Sequence, residues 1–131
     1  MQAGPSKCVA FVVEKMRHRK KKLKLTRTKD QRRALLRSLA SSVILKERII
    51  TTEAKAKKLR PFLEKAISRA KEDNLANRRF LLRDFSLKVV GKLMKEIGPR
   101  YKERHGGYSR IIKINPRKTD SAKMAIIQLI K

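Results

Sequence analysis

The chain has 131 residues, of which 37 are Lys or Arg and 11 are Asp or Glu, giving a formal net charge of +26 beside 40% hydrophobic residues. That length supports one domain with a modest core and excludes two, while the charge far exceeds what solubility needs and calls for a polyanionic partner. The single cysteine, Cys8, excludes an internal disulfide and a Cys-rich metal site and fits a reducing compartment.

Charge spread along the whole chain, without a long basic amphipathic helix bearing bulky aromatics, favours nucleic acid over an anionic membrane. At the N-terminus Gly4-Pro5-Ser6 breaks structure, and Val9 to Val13 is a short β-prone patch with no evident partner. The apolar run from Cys8 to Val13 is too short to span a bilayer. Because Met16 directly precedes a basic stretch, residues 1–15 read either as an extension upstream of a start at Met16 or as a small added strand. Residues 16–29 then carry Arg17, His18, Arg19, Lys20, Lys21, Lys22, Lys24, Arg27 and Lys29 with no acid. Self-repulsion opposes compact packing of such a segment, whereas contact with phosphate releases counterions, so it is expected to be an RNA-binding arm.

From Asp30 the pattern changes to a helical period, opening a globular unit over residues 30–131. A first helix is expected from Asp30, as N-cap, to Glu47, with Leu35, Leu36, Leu39, Ala40, Val43 and Ile44 on its apolar face and Arg32, Arg33 and Arg37 off it, free for phosphate. Arg48 to Thr52 reads as a short β-branched strand. A second and longest helix follows from Glu53 to Glu72, bent at Pro61, with Ala56, Leu59, Leu63, Ala66, Ile67 and Ala70 buried. Leu75 to Arg83 suggests a third helix. Ser86 caps a fourth with core positions Leu87, Val90, Leu93, Met94 and Ile97, stopped by Gly98-Pro99. Beyond a basic loop, Tyr108 to Asn115 and Met124 to Ile130 have strand composition and pair naturally as a hairpin. The expected fold is therefore α/β of the α+β type: one small domain in the order helix, strand, three helices, two strands, with a small mixed sheet packed by helices and the basic N-terminal arm.

No catalytic constellation can be assembled, because His18 lies in the arm and His105 in a Gly-rich loop, neither near a nucleophile or paired carboxylate. No metal spacing and no cofactor or small-molecule cradle is recognisable either; Gly106-Gly107 alone is a weak phosphate signal. A second basic group comprises Arg100, Lys102, Arg104, Arg110, Lys113, Arg117 and Lys118, interleaved with Tyr101 and Tyr108. Arginine forks onto phosphate, and tyrosine can stack on an unpaired base; for Tyr108 a core-edge role is the equal alternative. Alternation would put Tyr108 and Arg110 on one strand face. Arg78 and Arg79, with Arg83, either extend this surface or are merely exposed.

Several segments carry a resemblance: Met16-Arg17-His18-Arg19-Lys20, Arg48-Ile49-Ile50-Thr51-Thr52, Lys55-Ala56-Lys57-Lys58-Leu59-Arg60, Ala76-Asn77-Arg78-Arg79, and Gly98-Pro99-Arg100-Tyr101 continuing through Arg104-His105-Gly106-Gly107-Tyr108-Ser109-Arg110-Ile111. With Met124-Ala125 to Leu129 as a closing strand, the chain from Met16 onward resembles the bacterial large-subunit ribosomal protein seventeen family. The resemblance implies an α/β fold with a small sheet, assembly into the large ribosomal subunit of the cytoplasm through ribosomal RNA, and large-subunit protein thirty-two as a neighbour. Residues 1–15 precede the family's usual start, Thr119 stands where a Gly is common, and Gln128 replaces a common Glu. A non-enzymatic constituent of the large subunit is the reading that results. Its rival is a free-standing DNA-binding or nucleoid-associated protein using the first helix in a groove, against which stands the strand separating the first two helices.

Overall fold

The computed structural model describes residues 25–130; residues 1–15, with either reading of them, and most of the basic arm lie outside them. In chain order the elements are α1 (Lys29–Lys46), β1 (Arg48–Thr52), α2 (Glu53–Ala70), α3 (Leu75–Leu82) and α4 (Leu87–Lys92), the last running on through a π turn (Leu93–Ile97) into α5 (Gly98–Arg100). Strands β2 (Ser109–Ile114) and β3 (Met124–Leu129) close the chain. Counting α4 to α5 as one helical run, the order is the expected one.

Helix α1 begins one residue before the expected cap: Thr28 holds the N-cap position, its carbonyl accepting from Arg32 N at 3.1 Å, and Asp30 sits in the first turn. There its charge still complements the positive end of the helix dipole. Ala40, Val43 and Ile44 are fully buried, while Leu36 and Leu39 pack half-buried at the edge of the core. The helix stops abruptly because Glu47 adopts a left-handed conformation (φ 61°) and its N–H returns to Val43 O at 2.7 Å. A left-handed non-glycine residue costs roughly 1–2 kcal/mol, offset here by the Glu47 carboxylate accepting from Arg100 at 3.0 Å and its carbonyl accepting from Leu129 N at 2.9 Å. One residue thus turns α1 directly into β1, which leaves no helix-turn-helix between α1 and α2.

Helix α2 buries all six stripe residues expected of it and continues through Pro61, which lies on the exposed side where water can replace the missing donor. It ends at Ala70 and, at 18 residues, equals α1 rather than exceeding it. In the α4 run Val89, Val90, Leu93, Met94 and Ile97 are buried, but Leu87, expected in the core, is 79% exposed. A helical side chain covers the turn N-terminal to its own Cα, and at the first position of α4 that turn is only the short link from α3. Gly98-Pro99 does not stop the helix; both lie inside the run, which ends at Arg100.

The sheet was expected to be mixed and is antiparallel throughout, in the order β1-β3-β2. The hairpin fixes β2 against β3, and β1 pairs with the other edge of β3 in the opposite sense. Central β3 turns Ala125, Ile127 and Leu129 inward against the helices, and α2 packs across all three strands.

Candidate nucleic-acid interface

Arg17, His18, Arg19, Lys20, Lys21, Lys22 and Lys24 lie outside the described residues. Arg27 and Lys29, where the arm joins α1, are exposed. Of the three α1 arginines, Arg33 is exposed and Arg32 half-buried. Arg37, expected to be free, is not: its Nε and NH2 both donate to Asp84 Oδ1, at 2.8 and 2.5 Å, tying α1 to the link between α3 and α4. A guanidinium half withdrawn from solvent and already facing a carboxylate has little left for phosphate.

On α3, Arg78 pairs with Asp73 at 3.2 Å and Arg79 is exposed. Arg83 is exposed and, with Arg69, lies over the Phe80 ring, at 5.3 and 3.4 Å from the centroid respectively. Arg117 pairs loosely with Asp120 at 3.4 Å across the hairpin loop. Exposed pairs such as Arg78–Asp73 and Arg117–Asp120 are worth at most about 1 kcal/mol, so phosphate can displace the carboxylate at little cost. Arg100 is more firmly used, since its bond to Glu47 holds the left-handed turn after α1 and raises the guanidinium pKa further.

The tyrosines belong to the core. Tyr101 and Tyr108 are 2% and 3% exposed and pack on each other with ring centroids 5.2 Å apart. The Tyr101 hydroxyl donates to Ile130 O and that of Tyr108 to Arg104 O at 3.1 Å; burial pushes the Tyr101 phenol up from its ordinary value. Tyr108 therefore has no free ring face for a base, and the core-edge reading is the correct one. Nor does it share a face with Arg110. Gly106 (φ 152°) and Gly107 (φ 63°) take torsions that side chains resist, and they bring the chain into the sheet so that Tyr108 and Ser109 both point inward. Regular alternation starts only at Ser109, whose Oγ donates to Glu64 Oε1 at 3.0 Å.

Arg104 and Arg110 remain exposed. Arg104 contributes to structure through its carbonyl, which accepts from Lys71 Nζ at 2.8 Å as well as from Tyr108. Arg110 lies on the outward side of β2 and forms no ion pair with a described residue. It lines a broad cleft of about 620 Å³ with Lys46, Glu47, Arg48 and Gln128. Lys46 and Arg48 were not anticipated as site residues. Their position beside Arg110 follows from the pairing of β1 and β2 on opposite edges of β3, a relation between distant segments that local patterns do not carry.

Among the described residues no three His, Cys, Asp or Glu side chains gather where they could hold a metal ion, and no helix is long and apolar enough to cross a membrane. The chemistry on offer is therefore charge: exposed guanidinium and ammonium groups on α1, α3, the loop after α5 and the sheet. A family model described as ribosomal protein L17 matches residues 35–130, from within α1 through the end of β3.

Proposed function

The chain belongs to the ribosomal protein L17 family and is thus a structural constituent of the large ribosomal subunit, and from that premise we propose that it acts by binding and organising ribosomal RNA. The observation that carries the proposal is the net charge of +26 on the chain, whose 37 cations outnumber its 11 acids: most guanidinium and ammonium groups have no carboxylate to answer them. In this reading the arm, Arg17 to Lys29, neutralises phosphates between RNA segments while Arg33, Arg79, Arg104 and Arg110 fix the body against the RNA surface. Arg78 and Arg117 exchange weak carboxylate partners for phosphate on binding. Large-subunit protein thirty-two is the protein neighbour that the resemblance implies, and the cytoplasm is the compartment.

The test is a salt series of filter-binding titrations with deproteinised large-subunit RNA. Log affinity should fall steeply with log salt, by about 0.7 to 0.9 per phosphate contact, and deleting residues 17–29 should flatten the slope. A slope unmoved by the deletion would remove the arm from the interface.

A further inference from the structure

The outer face of the sheet places Arg110 in an arrangement whose other members the docking of the body leaves unassigned. Register pairs Arg48 with Gln128 and Gln128 with Arg110, so these three form one row across all three strands. Paired Cα atoms sit about 4.5–5.5 Å apart, which spaces Arg48 and Arg110 by about 10 Å with Gln128 midway. Two residues further along, on the same face, the next row is Ile50, Ile126 and Ile112. Ile50 is 64% exposed and Ile112 40%, an aliphatic strip that no described residue covers. Neither Arg48 nor Arg110 has an ion pair among the described residues, and Glu47, the carboxylate of the adjoining cleft, is held by Arg100 at 3.0 Å.

We propose that this face is a site for an unpaired nucleotide of RNA. Arg48 and Arg110 hold the phosphates on either side of it, Gln128 between them hydrogen-bonds its ribose 2′-hydroxyl, and its base lies on the isoleucine row. Two guanidinium groups at the border of the strip without an ion pair among the described residues, with Lys46 beside them, match a polyanion; a protein covering the same strip would have to bring carboxylates to that end. The nucleotide must be unpaired, because bases stacked inside an A-form helix have no face to offer an aliphatic surface, while splayed ones do. The inference rests on the RNA-binding reading above and deepens it by naming the ligand of one face.

The experiment uses the full chain, deproteinised large-subunit RNA, and a short single-stranded oligoribonucleotide compared with its duplex. Gln128→Glu places a carboxylate between both arginines without altering the strand. The salt slope for the single strand should then flatten by about 1.4, two contacts at about 0.7 each, with an unchanged or raised melting temperature. Ile112→Ser should weaken single-strand binding and spare the duplex. The site is overturned if Gln128→Glu moves the slope no more than Thr119→Glu, an equal charge change in the exposed hairpin loop, or if Ile112→Ser leaves single-strand affinity intact, as it would were a protein the occupant. Failure of the unaltered chain to bind large-subunit RNA at all would instead bring down the underlying reading, and the site with it.

Discussion

Replacing Gly98 by alanine should destabilise the fold far more than its one added methyl suggests. The backbone at Gly98 is ordinary right-handed helix (φ −55°, ψ −56°), open to any residue; what excludes a side chain is space. A Cβ would stand 2.2 Å from the carbonyl oxygen of Ala70, 3.0 Å from its carbon and 3.2 Å from Leu93 O. These are backbone atoms at the end of α2 and in the π turn, so no rotamer change relieves the clash and one helix must shift against the other. Overpacking costs typically about 1–3 kcal/mol, and with backbone on both sides we expect the upper end, about 3 kcal/mol. For a domain whose whole stability is on the order of 5–15 kcal/mol, that loss is large. Gly91, in the same helical run, is the control: nothing lies within 4 Å of its Cβ position, so Gly91→Ala should stabilise by about 0.5–1 kcal/mol through backbone entropy. Urea unfolding of the full chain followed by circular dichroism measures both, and a Gly98→Ala variant as stable as the unaltered chain would refute the close approach of Ala70 at the end of α2 to Gly98 at the start of α5.

Leu63, fully buried on α2, should cost about 2–5 kcal/mol on replacement by alanine, read from the same unfolding curves. Arg37→Ala should cost about 1 kcal/mol because it strands the half-buried Asp84, and adding Asp84→Ala should cost little more, a coupling that a double-mutant cycle would expose. The Glu53 carboxyl is held below its ordinary 4.5 chiefly by the hydrogen bond from Lys57, with burial opposing and the charges of Lys57, Lys113 and Lys123 assisting. A folded pKa below the unfolded one contributes stability at neutral pH that is lost as pH falls through the folded value. The stability difference between the unaltered chain and Glu53→Gln should therefore be full at pH 7, begin to shrink as pH falls past 4.5 and vanish only below the folded value; a difference undiminished in strong acid would contradict the assignment.

What the sequence discloses here is what local periodicity encodes. The α2 stripe from Ala56 to Ala70 could be read residue by residue, because one helix face meets the core over its whole length. The bounds of β1 were legible for a similar reason: β-branched residues lie between a helix end and a helix start. Failures occur where a distant segment decides the outcome. Gly98 has the look of a stop signal, yet its function is to let Ala70 approach, and that neighbour lies 28 positions away. Arg37 has the spacing of a solvent-facing cation, but Asp84 arrives from beyond α3 to claim it. Tyr108 broke the strand's alternation because the two preceding glycines redirect the chain just before β2 begins. The Arg48–Gln128–Arg110 row is invisible in the sequence, since its members come together only through the pairing of three separate strands on β3.

The central claim is that this chain is a working part of the large ribosomal subunit held there by RNA. Sucrose-gradient sedimentation of a lysate containing the tagged full chain tests it most directly. The chain should co-migrate with large subunits, persist there after moderate salt, and be released by ribonuclease treatment rather than by deoxyribonuclease. Sedimentation away from the subunits, or release by deoxyribonuclease alone, would contradict it.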